Sequence, residues 1–141
     1  MGLFDDYSNG VGSPRPKWGH QKVLGRLYAN MYSELCRKGY EPLTEATVTD
    51  DWDDLAPDLV VFDEQNEPLS IIEITTHKEC RAIIRKCGEL IARFPDAEYF
   101  VYDYEKGVMY GYDTNVGEWI SSEGYEINSR YLCRPLTDYL N

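Results

Sequence analysis

From His20 onward the apolar residues Leu24, Leu27, Tyr28, Met31 and Leu35 recur at intervals of three and four, which lines them along one face of an amphipathic helix. Lys38 supplies a cation for its last turn and Gly39 a stop. After that the period changes. Residues 42–48 read as a strand, 49–54 as an acidic loop, and Leu59–Phe62 and 69–75 as two apolar strands. The polar run 63–68 between them is a turn, so the two strands form a hairpin. Helical spacing resumes at Cys80, Ile83, Ile84, Cys87 and Ile91 and ends near Pro95, whose ring disfavours continuation. Residues 99–104 then read as a buried strand, 108–112 and Glu118–Ser121 as a further hairpin, and 132–140 as a short helix or an extended tail. Residues 1–17 hold three glycines and two prolines without periodicity and are expected to form an arm.

Helix, three strands, helix, then strands is an α/β order. Helices able to cover both faces of a central mixed β-sheet make a sandwich. At 141 residues the chain suits one core rather than two, so residues 18–141 are expected to form a single domain. No apolar run approaches the ~18 residues that a membrane span needs. Asp5 and Asp6, with no apolar stretch behind a basic start, are unlike a secretory or transit signal, and the cytoplasm is the expected compartment. Cys36, Cys80, Cys87 and Cys133 form no CxxC pair, and neither histidine stands at zinc-ligand spacing from them. Cys80 and Cys87, seven apart on the apolar face of the second helix, read as reduced core residues.

A net charge of -11 argues at first against nucleic acid, because phosphates are neutralised by Lys and Arg. The distribution changes that reading. Residues 15–38 and 77–93 hold eleven of the fourteen basic residues and only three acids, Glu34, Glu79 and Glu89, so they carry about +8 against about -19 elsewhere. If the two segments meet, they make one basic face on an acidic body; solvated helix faces are the plainer account. The total charge by itself favours a third idea, an acidic mimic of DNA docking on a basic protein, which the clustered cations oppose. Twelve tyrosines and three tryptophans offer base-stacking surfaces, but Tyr99, Tyr102, Tyr104, Tyr110 and Tyr112 fall on strands, where packing is their ordinary use.

A hairpin closed symmetrically by its turn sets Phe62 opposite Leu69, and counting back brings Asp58 opposite Glu73. Cross-strand neighbours of this kind have Cβ atoms about 4.5–5.5 Å apart, so both carboxylates can grip one divalent cation. Thr75 points to the same face. Without a counter-charge the pair repels, and a metal or a lysine is the natural compensation. A loop acid and a solvated strand acid would be the bland alternative. Glu73, however, interrupts the run Ile71, Ile72, Ile74, where an unpaired carboxylate is costly.

Pro57-Asp58, followed fifteen positions later by Glu73-Ile74-Thr75, resembles the motif of the PD-(D/E)XK nuclease superfamily. Three wider stretches add to it: Gly19-His20-Gln21 at the helix start, Ala56 to Val61, and Glu98 to Asp103. With the closing Arg134-Pro135-Leu136-Thr137-Asp138-Tyr139-Leu140, the chain resembles the Uma-type restriction endonuclease family from about residue 18 to its end. The resemblance implies a restriction-endonuclease-like sandwich and magnesium- or manganese-assisted hydrolysis of DNA phosphodiesters, the metal held by Asp58, Glu73 and the Ile74 carbonyl. Glu34 would add a water-mediated metal contact from the first helix. The motif's lysine is replaced by Thr75, and relatives supply a lysine from the following helix, where Lys86 matches; Arg85 or Lys78 could substitute. That helix lacks the aspartate that often precedes the lysine. His20, Lys22, Lys78, Arg81 and Arg85 are the expected contacts to nucleic acid. A homodimer pairing two sites and a protein partner are both compatible with the reading. A catalytically inactive nuclease fold used as a binding or regulatory module is the alternative function.

Overall fold

The computed structural model describes residues 18–51 and 53–141, so the expected N-terminal arm lies outside the described residues. Helix α1, Trp18–Arg37, buries Leu24, Leu27, Met31 and Leu35, the stripe that the spacing predicts. It stops where Gly39 takes a left-handed φ of 86°, with the Tyr40 N–H returning to the Leu35 carbonyl.

Six strands follow: β1 (Glu41–Thr44), β2 (Leu59–Phe62), β3 (Pro68–Thr75), β4 (Glu98–Asp103), β5 (Val108–Asp113) and β6 (Glu118–Ser121). They lie side by side in chain order. Every neighbouring pair is antiparallel except β3 and β4, which α2 (Cys80–Arg93) joins by a crossover and which therefore run parallel. Within the stretch 132–140, expected as a short helix or an extended tail, a 3-10 helix forms over Leu136–Leu140.

Strand alternation sends side chains to two cores. Leu59, Val61, Ile72, Ile74 and Phe100 pack under α1, together with Leu136 and Tyr139 from the C-terminal segment. Val60, Phe62, Ile71 and Tyr99 meet Leu90 of α2 on the other face, and Val101 meets Cys80 and Cys87. Coverage of both faces is why β2 is apolar at every position rather than at alternate ones. Both cysteines of α2 are free thiols in that core. Among the described residues no helix is long and apolar enough to cross a membrane.

Two local features differ from the expectation. β1 ends at Thr44, not at 48, because Glu45 turns to a positive φ of 55° and gives its N–H to the Asp58 carbonyl. Val48, freed from the ladder, drops its side chain into the α2-side core. The acidic loop that follows is tied to the end of α2: Asp54 accepts two hydrogen bonds of 2.8 Å from the Arg93 guanidinium. That bidentate pair holds the Asp54 carboxyl well below the usual carboxylate range.

Candidate active site

β2 and β3 pair Leu59 with Ile72, so Asp58, one residue before β2, falls beside Glu73. The symmetric hairpin expected from the turn is corrected at one end only. A bulge between Val61 and Phe62 pairs Phe62 with Pro68 instead of Leu69, and the register beyond it, Val61 with Ser70, is the expected one.

The two acids interlock through each other's backbone. Glu73 Oε1 accepts the Asp58 N–H at 3.1 Å, and Asp58 Oδ2 accepts the Ile74 N–H at 2.7 Å. On the α1 side, His20 Nε2 sits 3.2 Å from the same Asp58 oxygen, a hydrogen bond that raises the imidazole pKa against its partial burial. Gly19 makes that approach feasible: a Cβ there would stand 2.4 Å from Cε1 of Tyr104, so α1 comes down on the tyrosine ring.

Protein packing around Glu73 strips its carboxyl of hydration and pushes its pKa up to about 8, with the Asp58 charge adding to the rise and the Asp58 N–H that Glu73 accepts opposing it. The Lys86 ammonium works in the opposite direction but is exposed and, among the described residues, forms no direct ion pair with either acid. Cys87 faces the pair from α2, its thiol raised to about 12 by burial first and by Glu73 second. Thr75, which stands where the motif has lysine, is buried and donates its hydroxyl to the Thr76 carbonyl.

Among the described residues no three His, Cys, Asp or Glu side chains converge as a metal cluster, so the protein offers two carboxylates and the nearby Ile74 backbone. That set fits magnesium or manganese, hard cations often bound through one or two carboxylates with water filling the remaining positions. A carboxyl that burial raises to about 8, as at Glu73, is also one whose proton a divalent cation displaces.

Glu34 is not part of this pair. It lies fourteen residues along α1 from His20, roughly 21 Å by helical rise. Its carboxylate accepts the Tyr139 hydroxyl at 2.6 Å, the Cys133 N–H at 2.7 Å and the Lys38 ammonium at 3.3 Å. Those donors lower its pKa to about 2 against the opposing effect of burial, and the residue clasps the C-terminal segment onto α1. Lys22, Lys78, Arg81 and Arg85 are exposed. Lys22 follows His20 by two residues, and Lys78 and Arg81 flank the start of α2, which follows directly on β3. Both helix N-termini therefore attend the sheet end that carries Asp58 and Glu73.

One pair at this end escaped the sequence. His77 Nδ1 lies 2.7 Å from Oδ2 of Asp103, a carboxylate fully buried at the end of β4. Asp103 already lay within a buried strand, residues 99–104, in the sequence, and an acid at such a place asks for partners. The partner comes from 26 residues away, however, and only the parallel register of Thr75 with Asp103 brings it near. Two surface clefts, of about 270 and 420 Å³, open elsewhere: one beside Glu98 and Asp113, the other beside Leu43 and Phe62.

No protein-family model matches the sequence, and no curated protein does. The solved structures give a likeness in fold. A crystal structure from Anabaena variabilis ATCC 29413, described as that of "a putative nuclease belonging to DUF820", superposes with a TM-score of 0.66 at 15% sequence identity, over 90% of this chain and 83% of the other. The chain thus has the restriction-endonuclease-like α/β sandwich fold, a mixed six-stranded sheet between two helices, in common with that protein.

Proposed function

We propose that the protein is a divalent-metal-dependent endonuclease that hydrolyses phosphodiester bonds of DNA at Asp58 and Glu73. The supporting observation is the interlocked carboxyl pair, two acids held side by side at the end of a buried sheet with Glu73 raised to about 8 and, among the described residues, His20 as the basic group paired with Asp58. A nuclease-described protein of the same fold agrees with it. Asp58, Glu73 and the Ile74 carbonyl would hold magnesium or manganese, which when bound supplies a Lewis acid that polarises a phosphate oxygen and lowers the pKa of a water. His20 steadies the Asp58 carboxylate. Lys86 stabilises charge that builds on the phosphate. Lys22, Lys78, Arg81 and Arg85, with the positive ends of both helices, attract the phosphate backbone.

A second reading, an inactive nuclease fold that binds DNA or a protein, is favoured by two observations: Thr75 is buried with its hydroxyl tied up, and Lys86 stands off from the acids. Cleavage of supercoiled plasmid with magnesium or manganese separates the two. The endonuclease reading expects wild-type nicking, a fall of at least about 1000-fold in Asp58→Ala, and a fall of about 100-fold in Lys86→Ala. An inactive wild type that still retards the plasmid in gels would establish the binding module instead.

A further inference from the structure

We infer that His77 is the catalytic base of this site, its Nδ1 held by Asp103 and its Nε2 taking the proton of the attacking water. The inference rests on the endonuclease reading and adds a group that reading lacks. Lys86 carries no lone pair, the Thr75 hydroxyl is committed to the Thr76 carbonyl, and both acids of the pair are spent on the cation. His20 is bound through Nε2 to Asp58, an acid that would hold the cation, so the groups already assigned bind and polarise a phosphate rather than take a proton from water.

His77 is built for that work. Asp103 is fully buried, yet the imidazole it holds is 59% exposed, so a core carboxylate fixes a ring that faces solvent. A carboxylate can only accept, so a neutral ring in this contact carries its proton on Nδ1 and keeps the Nε2 lone pair. Oδ1 of Asp103 is separately engaged, accepting the N–H groups of Glu105 and Lys106 at 3.1 and 3.0 Å, so the turn after β4 needs that oxygen alone. The His77 backbone is fixed as well, its N–H donating to Glu105 Oε1 at 2.9 Å. A buried carboxylate orienting an exposed imidazole through Nδ1 is the arrangement that enzymes use to present a base.

The position is right. Glu73 and Asp103 project from the same face of the sheet, toward α2: the Glu73 charge acts on Cys87 and that of Asp103 on Cys80. Thr75 pairs with Asp103, and Glu73 lies two residues back on the neighbouring strand, so their α-carbons are about 8 Å apart. His77 leaves the end of β3 two residues beyond Thr75, so its exposed ring stands at the sheet end that carries the acid pair. In the step, the water O–H bond breaks and its proton passes to Nε2. The freed oxygen bonds phosphorus as the bond from phosphorus to the leaving oxygen breaks, and the leaving oxygen is protonated by the imidazolium or by solvent. Besides Asp103, the charged groups next to the ring are Glu105 on the β4–β5 turn and Lys78 and Glu79 on the lead into α2.

His77→Asn preserves a donor toward Asp103 while removing the base. With manganese and supercoiled plasmid, it is expected to lower kcat about 100-fold and to leave KM and manganese affinity within about two-fold of wild type. Added imidazole should restore turnover to His77→Ala. In the metal-free protein, nitrogen NMR of the two histidines should find His77 protonated at Nδ1 alone, and Asp103→Asn should destroy that preference. A His77→Asn enzyme that turns over at the wild-type rate overturns the inference and leaves the endonuclease reading intact. So does a ring protonated at Nε2 alone. An inactive wild type overturns both.

Discussion

Glu73→Gln is expected to make the metal-free protein more stable than the wild type, by a margin that widens with pH. In the unfolded chain Glu73 ionises near its ordinary pKa of 4.5, whereas in the fold burial keeps it protonated up to about 8. Between those values the native state binds the extra proton, so stability is fully present below about pH 4.5 and is lost as pH rises through 8, at a slope of at most about 1.4 kcal/mol per unit. Glutamine occupies the same space and never ionises. His20, whose pKa is also raised, loses stability in the same direction, but it does so in both proteins and cancels from the difference. Urea unfolding at pH 5, 7 and 9 should therefore show a gap of a few kcal/mol opening toward the alkaline end. Saturating manganese should close it by stabilising the wild type alone. A gap that does not change with pH would mean that Glu73 is ionised in the fold at neutral pH.

Glu98→Ala is expected to be the most destabilising single change. At the far end of β4 from the candidate site, this buried carboxylate accepts the hydroxyls of Ser70 and Ser129 at 2.9 and 2.6 Å and the Arg130 N–H at 2.6 Å, with the Arg130 guanidinium 3.4 Å away. It stitches β3 and β4 to the C-terminal segment. Truncation leaves two hydroxyls and an amide buried without their acceptor, a loss of about 3–5 kcal/mol, or roughly 10 °C in Tm at this chain length. Glu98→Gln keeps the shape and should cost less than half as much. Equal losses in the two variants would show that the charge, not the hydrogen-bond geometry, matters.

These two acids also show what a sequence can and cannot disclose. Glu73 was legible because it breaks an apolar run, and Asp58 because a hairpin register can be counted from its turn; the bulge beside Phe62 left that count intact. The helices were legible from spacing, and so was the α/β sandwich from the order of elements. Glu98 and Asp103 look like ordinary strand-end residues, since the partners of Glu98 and the His77 partner of Asp103 lie 26 to 32 residues away and meet them only through the α2 crossover and the return of the C-terminal segment. Glu34 failed for a related reason. Its place on the first helix suggested the metal, but fourteen residues of helix carry it to the C-terminal clasp. The early end of β1 depends on the backbone turn at Glu45, which no side-chain pattern announces.

The central claim is that Asp58 and Glu73 form a cation site, and manganese titration calorimetry at pH 7 in two buffers of different ionisation enthalpy tests it most directly. One manganese bound to the wild type with release of about one proton, and no binding to Asp58→Ala or Glu73→Gln, is the result expected. A wild type that binds no manganese, or a Glu73→Gln variant that binds it as tightly, would contradict it.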